Sequence, residues 1–226
     1  MTTTLLIPGL LCDRFCWEAV LARLPAEVAD LSTQDDLTQM ARDLLQRHPG
    51  ALRVAGHSMG ARVAMEMARL APDRIERLAL LDTGIHPLRA GETEKRDEIV
   101  RFAFDNGMRA LADRWLPPMV WQGNQTDTAL MDGLRAMVLR MTPELHARQI
   151  RALVNRPDAA ATLGQVACPV LLMVGRHDQW SPVAQHEDML ALLPGARLEI
   201  IEDAGHFAPV ERPGAVADIL VPFLRD

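Results

Sequence analysis

The segment at residues 56–60 reads Gly-His-Ser-Met-Gly and fits the pattern G-x-S-x-G. The residues before it, 51–55, are short and largely apolar, and they follow a Pro-Gly pair, as is typical of a buried strand. The residues after it, 61–70, are rich in helix formers and stop before Pro72. The sequence therefore predicts a sharp strand-to-helix turn with Ser58 at its apex.

A serine at such a turn needs partners, because its hydroxyl is a poor nucleophile at neutral pH. A base must take the proton, and a third group must orient the base. His57 adjoins Ser58, but neighbouring side chains at a tight turn diverge. His206 lies in a glycine-containing loop after a strand-like stretch at residues 196–201, where α/β sheets collect functional groups. His206 is the predicted base.

Two aspartates are candidates for the orienting acid. The almost wholly apolar run at residues 169–174 predicts a parallel strand that is covered on both faces, and Asp178 follows just beyond its end. Asp82 is the alternative, because it ends the strand-like run at residues 75–81. We predict that Asp178 orients His206, and Asp82 stays open as its rival.

The chain order Ser58, Asp178, His206 places nucleophile, acid and base as in the α/β-hydrolase triad. With the apolar start at residues 5–10, these motifs make the sequence similar to α/β-hydrolase-fold serine hydrolases, in the branch of small carboxylesterases, lactonases and C–C bond hydrolases. The resemblance implies an α/β fold with a mostly parallel sheet of about six strands that lacks the N-terminal hairpin. It also implies a single domain over residues 1–226 with a helical cap inserted at about residues 84–165.

The resemblance implies a serine hydrolase that cleaves a carboxylic ester, thioester or lactone of a small, largely apolar substrate through an acyl-enzyme. The oxyanion hole would consist of the backbone N–H groups of Leu10 and Met59, although Pro8 stands where the family usually has histidine. A C–C bond hydrolase of a β-diketone-like substrate and an acyltransferase would use the same triad, and a ligand-binding protein on this fold is the non-enzymatic alternative. The expected substrate pocket consists of Trp115, Met119, Trp121 and Phe207.

Composition excludes several other classes of protein. The net charge of −6 and the lack of a Lys/Arg-rich run argue against nucleic-acid binding. No apolar stretch reaches 18 residues, which predicts no membrane span, and the N-terminus lacks the basic region of a signal peptide, which favours the cytoplasm. We expect no metal and no cofactor, because none of the three cysteines has metal-ligand spacing. An acyl-carrier protein and a second copy of the chain stay open as partners.

The remaining early part of the chain has a simple predicted order. We expect a helix near residues 14–24, with Cys12 and Cys16 on one helix face. A short strand at residues 28–31 and a helix near residues 36–47 should follow. This alternation of strands and helices predicts a parallel sheet.

Overall fold

The fold is built on one sheet of six strands in the order β2-β1-β3-β4-β5-β6, and each neighbouring pair is parallel. The computed structural model describes residues 2–225, so Met1 and Asp226, the ends of the predicted domain, lie outside the described residues. The sheet confirms the predicted fold class. The strands are β1 (Thr3–Ile7), β2 (Glu27–Val28), β3 (Leu52–His57), β4 (Ile75–Leu81), β5 (Val170–Gly175) and β6 (Arg197–Ile201).

Helices connect the strands and cover the sheet. Every residue of β5 is buried, as expected of a parallel strand covered on both faces. Among the helices of the described chain, none combines the length and the apolar character that crossing a membrane requires. The helices are α1 (Glu18–Leu21), α2 (Leu37–Arg47), α3 (Met59–Leu70), α4 (Glu92–Trp115), α5 (Thr128–Leu139), α6 (Pro143–Val154), α7 (Ala160–Leu163), α8 (Val183–Ala191), α9 (Ala208–Glu211) and α10 (Pro213–Arg225).

Two glycines allow the turn between β3 and α3 to pack closely. A Cβ atom on Gly56 would lie 2.4 Å from the carbonyl oxygen of Gly60. A Cβ atom on Gly60 would lie 2.2 Å from the carbonyl oxygen of Ile7 in β1. Both contacts are far below van der Waals distance and involve backbone atoms, so only glycine permits this approach of helix and strands.

Between β4 and β5 the chain forms helices α4 to α7. Helix α4 bends at Gly107, whose φ of 80° lies outside the helical region, and it ends at Trp115 before two prolines. Helix α6 begins with proline at its first position, where the missing N–H costs nothing, and the Thr142 side chain accepts a hydrogen bond from the N–H of Leu145. Prolines thus mark both the end of α4 and the start of α6.

Two early predictions need correction. The expected helix at 14–24 is a short 3-10 turn (Arg14–Trp17) followed by α1, because the Asp13 side chain binds the N–H of Phe15 and starts the turn there. Cys12 precedes that turn, so Cys12 and Cys16 do not share one helix face. The short strand lies at Glu27–Val28 instead of 28–31, because the Asp30 side chain binds the N–H of Ser32 and turns the chain away from the sheet.

Candidate active site

Ser58 occupies the turn between β3 and α3 in a strained backbone conformation. Its φ of 54° and ψ of −114° lie in a region that non-glycine residues rarely adopt. The N–H of Ser58 is held by the carbonyl oxygen of Leu81 at 2.9 Å. Its hydroxyl lies 2.8 Å from Nε2 of His206, within reach for donating a hydrogen bond to the imidazole. The surrounding backbone therefore holds the hydroxyl in contact with a base.

Asp178 binds the other nitrogen of the same imidazole. Its Oδ2 accepts a hydrogen bond from Nδ1 of His206 at 2.8 Å, and its Oδ1 accepts from the N–H groups of Trp180 at 2.8 Å and Ser181 at 2.9 Å. Burial alone would raise the pKa of Asp178, but His206 and the two N–H donors outweigh burial and lower that pKa. Asp178 is thus a buried, charged carboxylate that fixes the orientation of His206.

Asp82, the rival acid, is fully buried at the end of β4. Its Oδ1 accepts a hydrogen bond from the N–H of Gly175 at 2.9 Å, and its Oδ2 lies 3.6 Å from Nε2 of His57. Burial and the negative charge of Asp178 raise the pKa of Asp82 well above its usual range, which favours its protonated form. Within residues 2–225 it makes no hydrogen bond to His206.

His57 supports the loop that carries the imidazole. Its Nε2 donates a hydrogen bond to the backbone carbonyl oxygen of His206 at 2.7 Å. The ring also stacks on Phe207, with the two centroids 5.8 Å apart. His57 therefore braces the loop of His206, and it makes no hydrogen bond to the hydroxyl of Ser58 in the described chain.

Glu211 is a buried residue that sequence reasoning missed. Its Oε1 accepts hydrogen bonds from the N–H groups of Gly205 and Phe207 at 2.9 and 3.2 Å. Its Oε2 accepts from the N–H of Trp121 and the side-chain amide of Asn124, both at 2.9 Å. One carboxylate thus ties the loop of His206 to the helical segment. Its only sequence signal is an acid in a short apolar run after the histidine.

Leu10 and Met59 present backbone N–H groups without protein acceptors in the part of the chain that the structure describes. Leu11, the next residue in the first loop, has a strained φ of 57°. Its N–H donates to Oε1 of Gln149 in α6 at 2.9 Å. Sequence reasoning missed Gln149 as well. This amide therefore fixes the loop from the helical segment.

A cavity of about 610 Å³ opens above Ser58. Trp115, Met119 and Phe207, three of the four predicted pocket residues, line it together with Ser58 and His206. Trp121 is not among the lining residues. Its ring instead stacks on His177, with centroids 4.8 Å apart and planes 11° from parallel. The sequence could not place Trp121, because its direction depends on the short turns that follow Trp115.

Comparison with known proteins gives the family. A model described as "Alpha/beta hydrolase family" matches residues 5–219, which is nearly the whole chain. The chain belongs to the alpha/beta hydrolase family. A curated member, the pimeloyl-[acyl-carrier protein] methyl ester esterase of Nitrosomonas europaea, is 31% identical over 179 residues, which cover 76% of this chain and 71% of that protein.

Solved structures of alpha/beta hydrolases superpose on this one over its full length. A thermophilic esterase from Thermogutta terrifontis, with malate bound, has a TM-score of 0.90 and 27% identity, and covers 100% of this chain and 90% of its own. The enol-lactonase from Burkholderia xenovorans LB400 has a TM-score of 0.86 at 24% identity, and covers 100% of this chain and 92% of its own. At this identity, the similarity to the lactonase shows only that the two proteins share a fold. This alpha/beta hydrolase thus has esterases among its relatives.

Proposed function

We propose that the protein is a serine hydrolase that cleaves a carboxylic ester through an acyl-enzyme. The observation that carries the proposal is the unbroken pair of 2.8 Å hydrogen bonds from the hydroxyl of Ser58 through His206 to Asp178, at the base of a cavity. The 31% identity to a protein named as a methyl ester esterase favours an ester as the substrate.

In this mechanism the three residues have separate roles. Ser58 attacks the carbonyl carbon of the ester, and Nε2 of His206 takes the hydroxyl proton as the bond forms. His206 then gives this proton to the departing alcohol, which leaves an acyl group on Ser58. A water molecule, deprotonated by the same nitrogen, attacks the acyl-enzyme and releases the acid. Asp178 holds the imidazole in the required tautomer and stabilises its positive charge.

The free N–H groups of Leu10 and Met59 form the oxyanion hole in this proposal. Negative charge develops on the carbonyl oxygen during attack, and donors that are already in place stabilise it without reorganisation. Each donor of this kind contributes a factor of about 10²–10³ in kcat. Gln149 acts as a positioning residue, because it fixes the neighbouring N–H of Leu11.

Residues 84–165 form the cap over the site in this proposal, within a single domain. Its side chains Trp115 and Met119 share the cavity with Phe207, and these apolar groups surround the part of the substrate next to the scissile bond. The carbonyl oxygen of Met119 accepts the N–H of His206 at 2.7 Å, so cap and catalytic loop are joined directly.

Covalent labelling tests the proposal. A fluorophosphonate should modify wild-type protein once, on the peptide that contains Ser58, and should not modify Ser58→Ala. Ser181→Ala is the matched control, because Ser181 is a buried serine that lines the same cavity. It should be labelled like wild type. Labelling on another residue, or none in a folded wild-type protein, would contradict the assignment.

A further inference from the structure

The cavity above Ser58 has a surplus of positive charge on its wall. Two acids line it, Glu92 and Glu98, and both are used in ion pairs with arginines of the same wall. Of the six cationic residues, three form no ion pair within the described chain. The cations are Arg62, Arg89, Lys95, Arg96, Arg114 and Arg156, and those without an ion pair are Arg62, Arg89 and Lys95.

Arg62 is the unusual member of this set, because it is buried, with 9% of its surface exposed. Its Nη2 donates to the carbonyl oxygen of His86 at 2.8 Å, whereas its Nη1 is buried without a partner. Burial and the nearby positive charge of Arg156 lower the pKa of Arg62 to about 9. A buried guanidinium with an unused donor is costly unless a ligand supplies an acceptor.

Arg62 is also close to the nucleophile along the chain and in space. It belongs to the first turn of α3, and its N–H lies 3.4 Å from the carbonyl oxygen of Ser58. One helical turn advances about 5.4 Å, so the two residues lie one turn apart on the same helix. Both residues line the same cavity.

His146 adds a second unused polar group to the same cavity. It comes from α6, it is fully buried, and neither of its ring nitrogens has a partner. Burial and the positive charge of Arg96 lower the pKa of His146 to about 4, so the ring is neutral at physiological pH. A neutral imidazole offers one N–H donor. Arg62 and His146, from two different helices, therefore each bring a buried nitrogen without a protein acceptor to the wall of one cavity.

We propose that Arg62 and His146 form a subsite for a carboxylate on the acyl part of the ester, so that the substrate is a half-ester of a dicarboxylic acid. This inference rests on the proposed function and names its substrate class. A carboxylate is planar and offers two oxygens, which matches one guanidinium donor and one imidazole donor. Its negative charge also balances the positive charge of Arg62, which is buried.

The test compares half-esters with neutral esters of equal chain length. Monomethyl succinate, glutarate and adipate are paired with methyl butanoate, pentanoate and hexanoate, and kcat/KM is measured by acid release. Wild type should prefer at least one half-ester by about 100-fold, since two hydrogen bonds to a charged group are gained. Arg62→Met should lower this ratio about tenfold or more, with Arg62→Lys intermediate. Arg89→Met, which removes an exposed arginine of the same cavity, should keep it.

Direct binding separates this subsite from the catalytic assignment. Ser58→Ala should bind intact monomethyl adipate or glutarate in calorimetry, and Ser58→Ala combined with Arg62→Met or His146→Leu should bind it at least about tenfold more weakly. Hydrolysis of neutral esters without preference for any half-ester, and no binding of half-esters, would overturn the subsite and leave the esterase assignment intact. Binding that depends on Arg62, without turnover or labelling of Ser58 in wild type, would support the subsite and contradict the proposed mechanism.

Discussion

The carboxylate of Asp178 lies 2.8 Å from Nδ1 of His206, on a loop that follows β5. Asp82 directly follows the neighbouring strand β4 and is just as buried, but its nearest imidazole is that of His57, at 3.6 Å. Two aspartates at the same edge of the sheet therefore have different states. The contact with His206 lowers the pKa of Asp178, and burial beside that charge raises the pKa of Asp82.

Asparagine at each of the two positions tests this difference. Asp178→Asn should lower kcat about 10³–10⁴-fold, because the amide no longer stabilises the required tautomer and the imidazolium. Asp82→Asn should change kcat less than about tenfold, because Asp82 makes no hydrogen bond to His206 in the described chain and the amide oxygen still accepts the N–H of Gly175. Equal losses in the two variants would show that Asp82 is part of the acid–base machinery.

Gln149 should act on turnover through the loop of Leu10 and Leu11. Gln149→Leu removes the acceptor for the N–H of Leu11 and lets the strained loop relax. We expect kcat to fall about 10- to 100-fold with a smaller change in KM, since a displaced oxyanion donor affects the transition state most. Steady-state kinetics measure kcat and KM separately, and Gln165→Leu, at an exposed position, is the control. A change in KM alone would refute a role in positioning.

Glu211 should stabilise the loop of His206. In Glu211→Gln, an amide N–H₂ replaces one oxygen and faces N–H donors, so at least two hydrogen bonds to a charged acceptor are lost. We expect the free energy of unfolding to fall by about 1–3 kcal/mol, together with kcat. Urea unfolding measures the first effect. Glu202→Gln, which removes an exposed ion pair with Arg176, should have little effect on either quantity. An unchanged midpoint for Glu211→Gln would contradict this role.

Cys12 should be reactive near neutral pH. Burial would raise the pKa of its thiol, but the neighbouring side chains of Cys16 and His57 outweigh burial and lower the pKa to about 6. The thiolate therefore forms below the usual thiol range, and the rate of alkylation should be level between about pH 7.5 and 9.5 instead of rising. Cys12 lines the cavity beside Leu10, so its methylthiolation should inhibit the enzyme. Inhibition should persist in Cys168→Ala and disappear in Cys12→Ala. A rate of alkylation that rises with pH over the whole range would refute the lowered pKa of Cys12.

Much of the site could be predicted because its signals are local. The glycines around Ser58 are required by contacts within the strand–turn–helix unit, and His206 follows a recognisable strand and glycine. The sheet could be predicted for the same reason, since buried parallel strands are continuous apolar runs. The predicted helix near residues 14–24 was wrong in its first turn, because a single hydrogen bond to the side chain of Asp13 decides where the turn begins.

Other parts of the site depend on contacts between distant residues. Asp82 and Asp178 both follow apolar strands, so their roles depend on which strand brings its carboxylate to His206. Gln149 reaches Leu11 across 138 positions, and no local pattern marks that contact. The unpartnered donors of Arg62 and His146 are likewise visible only once the helices enclose the cavity.

Ester hydrolysis by wild type and Ser58→Ala tests directly whether Ser58 is the nucleophile. Both proteins are given p-nitrophenyl esters from acetate to decanoate, and the mass of the intact protein is followed during turnover. We expect hydrolysis with a transient acyl adduct on wild type, and loss of both in a folded Ser58→Ala. Ester hydrolysis that continues at the wild-type rate in Ser58→Ala would contradict it.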